Sequence, residues 1–125
     1  MARSQQRSRR KASGSLYHSG RSKKKYELAG FAANTRLAEE KKRKTRRILG
    51  GNVKGSLLAA SEVNVADKKG KTTKTKIMNV VENPANPHLV RRNILTKGAI
   101  VETKLGKVRI TSRPGQESSV NGVLV

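Results

Sequence analysis

The stretch Val101-Glu102-Thr103-Lys104-Leu105-Gly106-Lys107-Val108-Arg109-Ile110-Thr111 alternates apolar and polar residues on both sides of a single glycine. Successive side chains of a strand point to opposite faces. Val101, Thr103, Val108 and Ile110 therefore share one face, while Glu102, Lys104, Lys107 and Arg109 share the other. The expectation is two short strands around a tight turn at Gly106, with the apolar face turned to a core.

Working outward, Thr73-Lys74-Thr75-Lys76-Ile77 also alternates, and Ile77-Met78-Asn79-Val80-Val81 extends it into an apolar run that stops at Asn83-Pro84. Gly55–Ala60 and Glu62–Ala66 read as one long bent strand or as two. The turn Asp67-Lys68-Lys69-Gly70-Lys71, in which Gly70 takes a positive φ, joins them to Thr72–Val81 as a hairpin. Downstream, Arg113-Pro114-Gly115-Gln116 carries Pro and Gly where a type II turn needs them and leads to a last apolar strand, Val120 to Val125. Five or six short strands punctuated by Gly, Pro and Asn, with no internal repeat, predict an all-β fold. The expected architecture is a small five- to six-stranded barrel over residues 26–125. Two helices are conceivable. Thr35–Lys44 has acids early and cations late, matching the helix dipole, though only Leu37 and Ala38 are apolar. Pro87–Arg92 has Asn86 as N-cap and Pro87 at the first helical position, for one or two turns.

Composition limits what the barrel can be for. The chain has 125 residues, enough for one domain, and only 34% are hydrophobic, with Tyr17, Tyr26 and Phe31 as its aromatic residues. It carries 29 Lys+Arg against 8 Asp+Glu, a net charge of +21. Residues 1–50 hold +13 of this and residues 51–125 hold +8. Residues 1–25 are dominated by Ser, Gly, Gln, Lys and Arg, with too little apolar area to offset about 1–2 kcal/mol of backbone ordering per residue. They read as a long, largely irregular basic extension, disordered when free and ordered on a polyanion. The absence of cysteine excludes disulfides and thiolate chemistry, and His18 and His88 make no metal pair at helical spacing. No metal or cofactor is expected. No apolar run approaches the roughly 20 residues of a membrane span, and no secretory apolar segment follows the basic start, which reads as a cytosolic protein.

The candidate binding residues are the basic clusters. Arg3 is followed by Arg7-Ser8-Arg9-Arg10-Lys11, then by Arg21-Ser22-Lys23-Lys24-Lys25. Lys41-Lys42-Arg43-Lys44-Thr45-Arg46-Arg47 has six cations in seven residues. Ordinary surfaces intersperse both signs, and like charges gathered this way repel without structural gain unless a polyanion is bound. Lys54, Arg91, Arg92, Lys97 and Arg113 extend the set. Tyr17 and Tyr26 suit stacking on unpaired bases, although Tyr26-Glu27-Leu28 also fits the start of a first strand. His88 has no Ser, Cys or carboxylate close in sequence, so no enzymatic activity is expected. Gly50-Gly51-Asn52 before Lys54 lacks the spacing of a nucleotide-binding loop and reads as a tight turn approaching a sugar–phosphate backbone, with Asn52 in contact.

Several blocks together resemble one family. They are Ser8-Arg9-Arg10-Lys11 with Gly14, Lys24-Lys25-Tyr26-Glu27-Leu28 leading to Ala33-Asn34-Thr35, and Arg46-Arg47 before Gly50-Gly51-Asn52. Val80-Val81-Glu82-Asn83-Pro84-Ala85-Asn86-Pro87-His88, Val90–Ile94, Thr96–Thr103 and Gly106–Gln116 complete the set. The chain resembles the archaeal form of the S-eight-e family of small-subunit ribosomal proteins. That resemblance implies a β-barrel body with a basic N-terminal extension, bound to small-subunit ribosomal RNA beside neighbouring ribosomal proteins in the cytoplasmic ribosome. It implies no small-molecule substrate, no membrane and no catalysis, and a free monomer is expected. Two departures from the family pattern stand out. Ile48 and Leu49 precede the Gly-Gly-Asn turn and Val53, Gly55 and Ser56 follow it, leaving only Lys54 where basic residues flank both sides. Leu28-Ala29-Gly30-Phe31-Ala32 replaces a leucine-glycine-arginine continuation, so Phe31 is expected to pack where a charge would bind, with Lys41–Arg47 supplying charge instead. A ribosome-assembly factor with the same domain and a chromatin-like DNA-binding protein are the alternatives.

Overall fold

A computed structural model describes residues 8–125 except 19, 23, 29 and 68. The chain falls into two units, Met1–Ala32 and Ala33–Val125. In chain order the strands are β1 (Arg36–Leu37), β2 (Lys42–Arg47), β3 (Val53–Ala60), β4 (Glu62–Ala66), β5 (Thr72–Glu82), β6 (Ile100–Thr103), β7 (Gly106–Ile110) and β8 (Asn121–Leu124). One four-residue helix, α1 (Pro114–Glu117), precedes β8. Strands β4 to β8 form a closed five-stranded barrel, and β1, β3 and β2, in that order, form a separate three-stranded sheet.

The barrel follows from the alternation. Val101, Thr103, Val108 and Ile110 are buried and Glu102, Lys104, Lys107 and Arg109 exposed, so β6 and β7 form the expected hairpin. Gly106 opens β7 with φ 121°, a conformation that L side chains rarely adopt. Its carbonyl accepts from Thr103 Oγ1 at 2.9 Å, which satisfies a buried hydroxyl inside the turn. Ile77 and Val80 stand three apart on β5 yet both are buried. Register shifts in the β5–β6 pairing between Ile77 and Asn79, and again between Val80 and Glu82, rotate the strand so that both reach the core.

Closure comes from β8, which pairs antiparallel with β7 and parallel with β4. Asn64 Nδ2 donates to Asn121 Oδ1 at 2.9 Å across that seam. Gly122 lies in β8 where a Cβ would stand 2.5 Å from Val108 Cγ1 and 2.8 Å from the Arg109 carbonyl oxygen. Only glycine lets the last strand come this close. The buried cluster inside includes Val63, Val65, Val101, Val108 and Ile110, joined from the neighbouring sheet by Leu57 and Ala60.

Strands β3 and β4 are two strands separated by Ser61, and they serve different sheets. Thr35 Oγ1 donates to the Leu57 carbonyl at 2.7 Å, and Leu95 N donates to the Thr35 carbonyl at 2.8 Å. This buried threonine ties β3, the strand that leads into the barrel, to the segment before β6. The turn at Pro87–Leu89 is a single 3-10 turn, with Asn86 Oδ1 accepting from His88 N at 3.0 Å, as its capping sequence predicts.

Four expectations are corrected. Thr35–Lys44 is not a helix: it holds β1 and the start of β2. A helix continuing through the basic run would stack Lys42 on Arg46 and Arg43 on Arg47 at i,i+4 spacing, whereas a strand sends successive charges to opposite sides. Arg113–Gln116 is not a type II turn but the entry to α1, with Pro114 at its first position, and the left-handed residue is Ser118 at φ 55°. Gly115 sits at a close approach instead, since a Cβ there would stand 3.0 Å from Ala33 Cβ, a tight contact. Tyr26 begins no strand; it lies in a 3-10 turn, Lys25–Glu27, with its ring exposed. Phe31 does not pack: its side chain is fully exposed. The run around it offers too few apolar partners to bury a ring.

Gly122→Ala should cost about 2 kcal/mol, because the obstructing atoms include backbone that cannot swing aside. A thermal melt followed by circular dichroism should show a midpoint lower by on the order of 10 °C.

Candidate nucleic-acid interface

Strand β2 reads Lys-Arg-Lys-Thr-Arg-Arg, and all six residues are exposed. It is an edge strand, paired antiparallel with β3 from Arg47↔Val53 through Arg46↔Lys54, Thr45↔Gly55, Lys44↔Ser56 and Arg43↔Leu57 to Lys42↔Ala59. Its backbone is held by β3 while its side chains point to solvent on both faces. Edge strands often carry lysine to resist pairing with other chains. Here the charge exceeds that need, since residues 41–60 contain seven cations and no acid.

The cross-strand pairs make the same point. Arg46 and Lys54 are register partners, so two cations share one face directly opposite each other, an arrangement that destabilises a sheet. The barrel does the reverse. Glu62 is opposite Lys76 and Glu102 is opposite Lys107. Lys74 Nζ also donates to Glu62 Oε2 at 2.6 Å. That hydrogen bond, against the opposing effect of desolvation and with the positive charges of Lys74, Lys41 and Lys76, holds the Glu62 carboxyl below the usual glutamate range. On β2, Lys42 lies 3.8 Å from Glu40, and both side chains are well exposed, so the contact contributes little.

Arg43 is positioned by what lies beneath it. A Cβ on Gly55 would stand 2.6 Å from Arg43 Nε, 2.7 Å from its Nη2 and 3.0 Å from Ser118 Oγ. The guanidinium thus crosses a bare backbone patch next to the end of α1. Gly55 and Ser118 are contributors that sequence reasoning did not single out. No signal in the sequence marks them, because Gly55 meets Arg43 only through the β2–β3 register.

At the far end of the hairpin, Leu49–Gly51 form a short 3-10 turn with Gly50 at φ 73° and Gly51 at φ 75°. Ile48 N donates to the Asn52 carbonyl at 2.8 Å and closes the loop. Asn52 is exposed, with its Nδ2 3.4 Å from the Leu49 carbonyl.

The other predicted contacts are dispersed. Arg91 and Arg92 are exposed on the turn before Asn93, whose carbonyl accepts from Leu37 N at 2.9 Å beside β1 rather than β2. Lys97 is exposed between Leu95 and Gly98, and Gly98 N donates to the Ile110 carbonyl at the barrel. Arg113 is exposed at the start of α1, which packs on β3. In the unit Met1–Ala32, residues 9–17 fold back on themselves: Tyr17 N donates to the Arg9 carbonyl at 2.9 Å and Lys11 N to the Ser15 carbonyl at 2.8 Å. Arg10 Nη1 donates to the Gly14 carbonyl at 2.7 Å, and Lys11 Nζ lies 5.6 Å from the centre of the Tyr17 ring. This turn presents Arg9, Arg10 and Lys11 together. Arg21, Lys24, Lys25 and Tyr26 are exposed further along. Arg3, Arg7 and Lys23, and with them part of the segment expected to be disordered when free, lie outside the described residues. Among the described residues no helix is long and apolar enough to cross a membrane, and no group of three His, Cys, Asp or Glu could hold a metal ion.

The family described as ribosomal protein S8e matches residues 4–125. The small ribosomal subunit protein eS8 of Methanocorpusculum labreanum is 49% identical over 122 residues, covering 97% of each chain. Those of Methanococcus aeolicus and Nanoarchaeum equitans are 48% and 49% identical, covering 97% of this chain and 95% of theirs.

Two outcomes test this geometry. Gly55→Ala should displace the Arg43 guanidinium, a flexible side-chain end, and so change stability by less than about 1 kcal/mol while lowering RNA affinity as much as Arg43→Ala does. Lys74→Ala should raise the Glu62 pKa in an NMR titration. Because the folded value is depressed, the small stabilisation from this carboxylate is present above its unfolded pKa and lost as pH falls through the folded one. Lys74→Ala should flatten that acid-side dependence.

Proposed function

The chain belongs to the ribosomal protein S8e family, and from that premise we propose how it binds as a structural constituent of the small subunit of the cytoplasmic ribosome. The barrel supplies a rigid body. Its basic appendages neutralise phosphate and stabilise folded small-subunit ribosomal RNA, next to neighbouring ribosomal proteins. The protein acts by occupying a place in the particle and not by catalysing a reaction. When free it is a monomer.

The observation that carries this reading is the hairpin β2–β3. A fully exposed strand with five cations, facing a further lysine across the sheet and with no acid between residues 41 and 60, is an arrangement that favours a polyanion. Lys42, Lys44, Arg46 and Lys54 contact phosphates, and Arg43, held over Gly55, presents a preset guanidinium. The segment 1–25, an extension that becomes ordered on RNA, adds nine basic residues, among them Arg9, Arg10 and Lys11 on the turn at residues 9–17. Exposed Tyr26 suits stacking on an unpaired base. Arg91, Arg92, Lys97 and Arg113 extend contacts around residues 26–125. Most contacts fall on phosphate and 2′-hydroxyl groups, so shape is read more than sequence.

Salt dependence measures this directly. With ten of the 29 Lys and Arg residues on phosphates, the slope of log affinity against log salt should be on the order of −7 to −9. Deleting residues 1–25 should leave residues 33–125 folded and reduce the magnitude of the slope by about 0.7–0.9 for each phosphate that is no longer neutralised. A truncated chain binding small-subunit RNA with unchanged affinity and slope would overturn the role given to the extension. Recovery of the protein at one copy per small subunit after a salt wash would separate a constituent from an assembly factor, and a preference for ribosomal RNA over duplex DNA would exclude the chromatin-like alternative.

A further inference from the structure

The tip of the β2–β3 hairpin is apolar, and nothing in the fold accounts for it. Leu49 is 95% exposed, Val53 64% and Ile48 44%, and the two glycines between them leave the turn without side chains. No core residue packs there, since the buried cluster begins at Leu57, further along β3. Solvent-exposed leucine, isoleucine and valine gathered on one protruding turn mark a contact surface. Immediately behind them stand Arg46 and Arg47 on β2 and Lys54 on β3, with Arg46 and Lys54 side by side. A Cβ on Gly51 would lie 4.0 Å from Arg47 Nη2, so this cation reaches back over the turn itself.

An apolar point inside a cationic collar selects its partner by chemistry. A protein surface complementary to the apolar residues would have to supply acids for the three cations around them. RNA supplies the negative charge everywhere, and it offers apolar area chiefly on the faces of bases. In a continuous helix those faces are covered by stacking, so they are open at bulges, loops and helix ends. Aliphatic side chains are known to wedge against base steps in this way, with flanking cations on phosphates.

We propose that the Ile48–Leu49 tip packs on the face of an unstacked nucleotide of small-subunit ribosomal RNA, with Arg46, Arg47 and Lys54 on the adjoining phosphates. This rests on the RNA-binding reading above and adds to it a contact that does not depend on charge. The turn needs its two glycines because both hold positive φ and because a bare backbone keeps the wedge thin. Leu49, the most exposed of the three apolar side chains, carries most of the contact.

The test uses the full-length chain, small-subunit ribosomal RNA from Methanococcus aeolicus, a salt series, and 2′-hydroxyl acylation footprinting. Leu49→Ser should lower affinity about tenfold, equivalent to about 1.4 kcal/mol, without changing the salt slope, because every phosphate contact is kept. Its footprint should lose protection at one unpaired nucleotide and keep the rest. Leu49→Met should bind as the parent does. Arg46→Ala with Lys54→Ala should reduce the magnitude of the slope by about 1.4–1.8. Since Leu49 is already in solvent, the serine variant should keep the parent's melting curve. Binding by Leu49→Ser within twofold of the parent, with an identical footprint, would overturn the proposal. So would a defect that arises only when other ribosomal proteins are present, which would make the tip a protein contact. In both cases salt-dependent binding by the parent chain would leave the broader reading standing, whereas a parent chain that bound no RNA would overturn both.

Discussion

Strand β3 must be paired on both edges, and this requirement sets the character of the whole N-terminal part of the body. Its residues Leu57, Ala59 and Ala60 are buried, so the backbone that carries them is removed from water and its amides and carbonyls need partners. One edge is taken by β1, which is itself bridged to Ile94. The other is taken by Lys42–Arg47, a segment with no apolar side chain. Pairing is supplied by backbone alone, so the side chains of β2 are free to be cationic at every position but Thr45. What the sheet gains in hydrogen bonds it loses in part to repulsion between the cations of β2 and Lys54.

Charge is therefore handled in two ways within one chain. On the barrel, acids are distributed so that Glu62 meets Lys74 and Lys76 and Glu102 meets Lys107, which offsets part of the local charge. On the hairpin, no acid stands between Lys41 and Ala60. The barrel can tolerate this because its stability comes from elsewhere. Closure through β8 removes its edges, and a compact set of valines and isoleucines fills the interior without a single aromatic ring. The interior is not perfectly matched: the hydroxyls of Thr73 and Thr75 are buried without hydrogen-bond partners, an arrangement that weakens β5.

The barrel was legible wherever period-two alternation had a buried face to mark, as in Val101–Ile110 and in Thr73–Ile77. It was not legible in β2, where both faces are exposed and every residue is polar, so that no periodicity could register. The charge order of Thr35–Lys44 suited a helix dipole, an effect of under about 1 kcal/mol that the pairing demand of β3 overrides. Pro114-Gly115 illustrates a different limit. The pair suits a type II turn and a helix start equally, and the helix that forms packs on β3, a contact far away in sequence. In the sequence the cations of the candidate interface form clusters along the chain. Their arrangement across β2 and β3, with Arg46 beside Lys54 and Arg43 over Gly55, exists only once the register is fixed.

That arrangement explains why a small barrel suffices for a protein with so much charge. Folding free energy for a domain of this size is on the order of 5–10 kcal/mol, too little to hold many like charges together on a core. The chain instead carries its densest charge at the sheet margin and on the hairpin, where water screens it. Burial is concentrated in β4–β8, the segment that links to them through Thr35 and Leu95, and the inner half of β3. Loss of an exposed cation then has little effect on the fold, while loss of a core residue removes the support of β2 and β3. Dense charge and stability fall to different residues because one small core could not have supported both on the same surface.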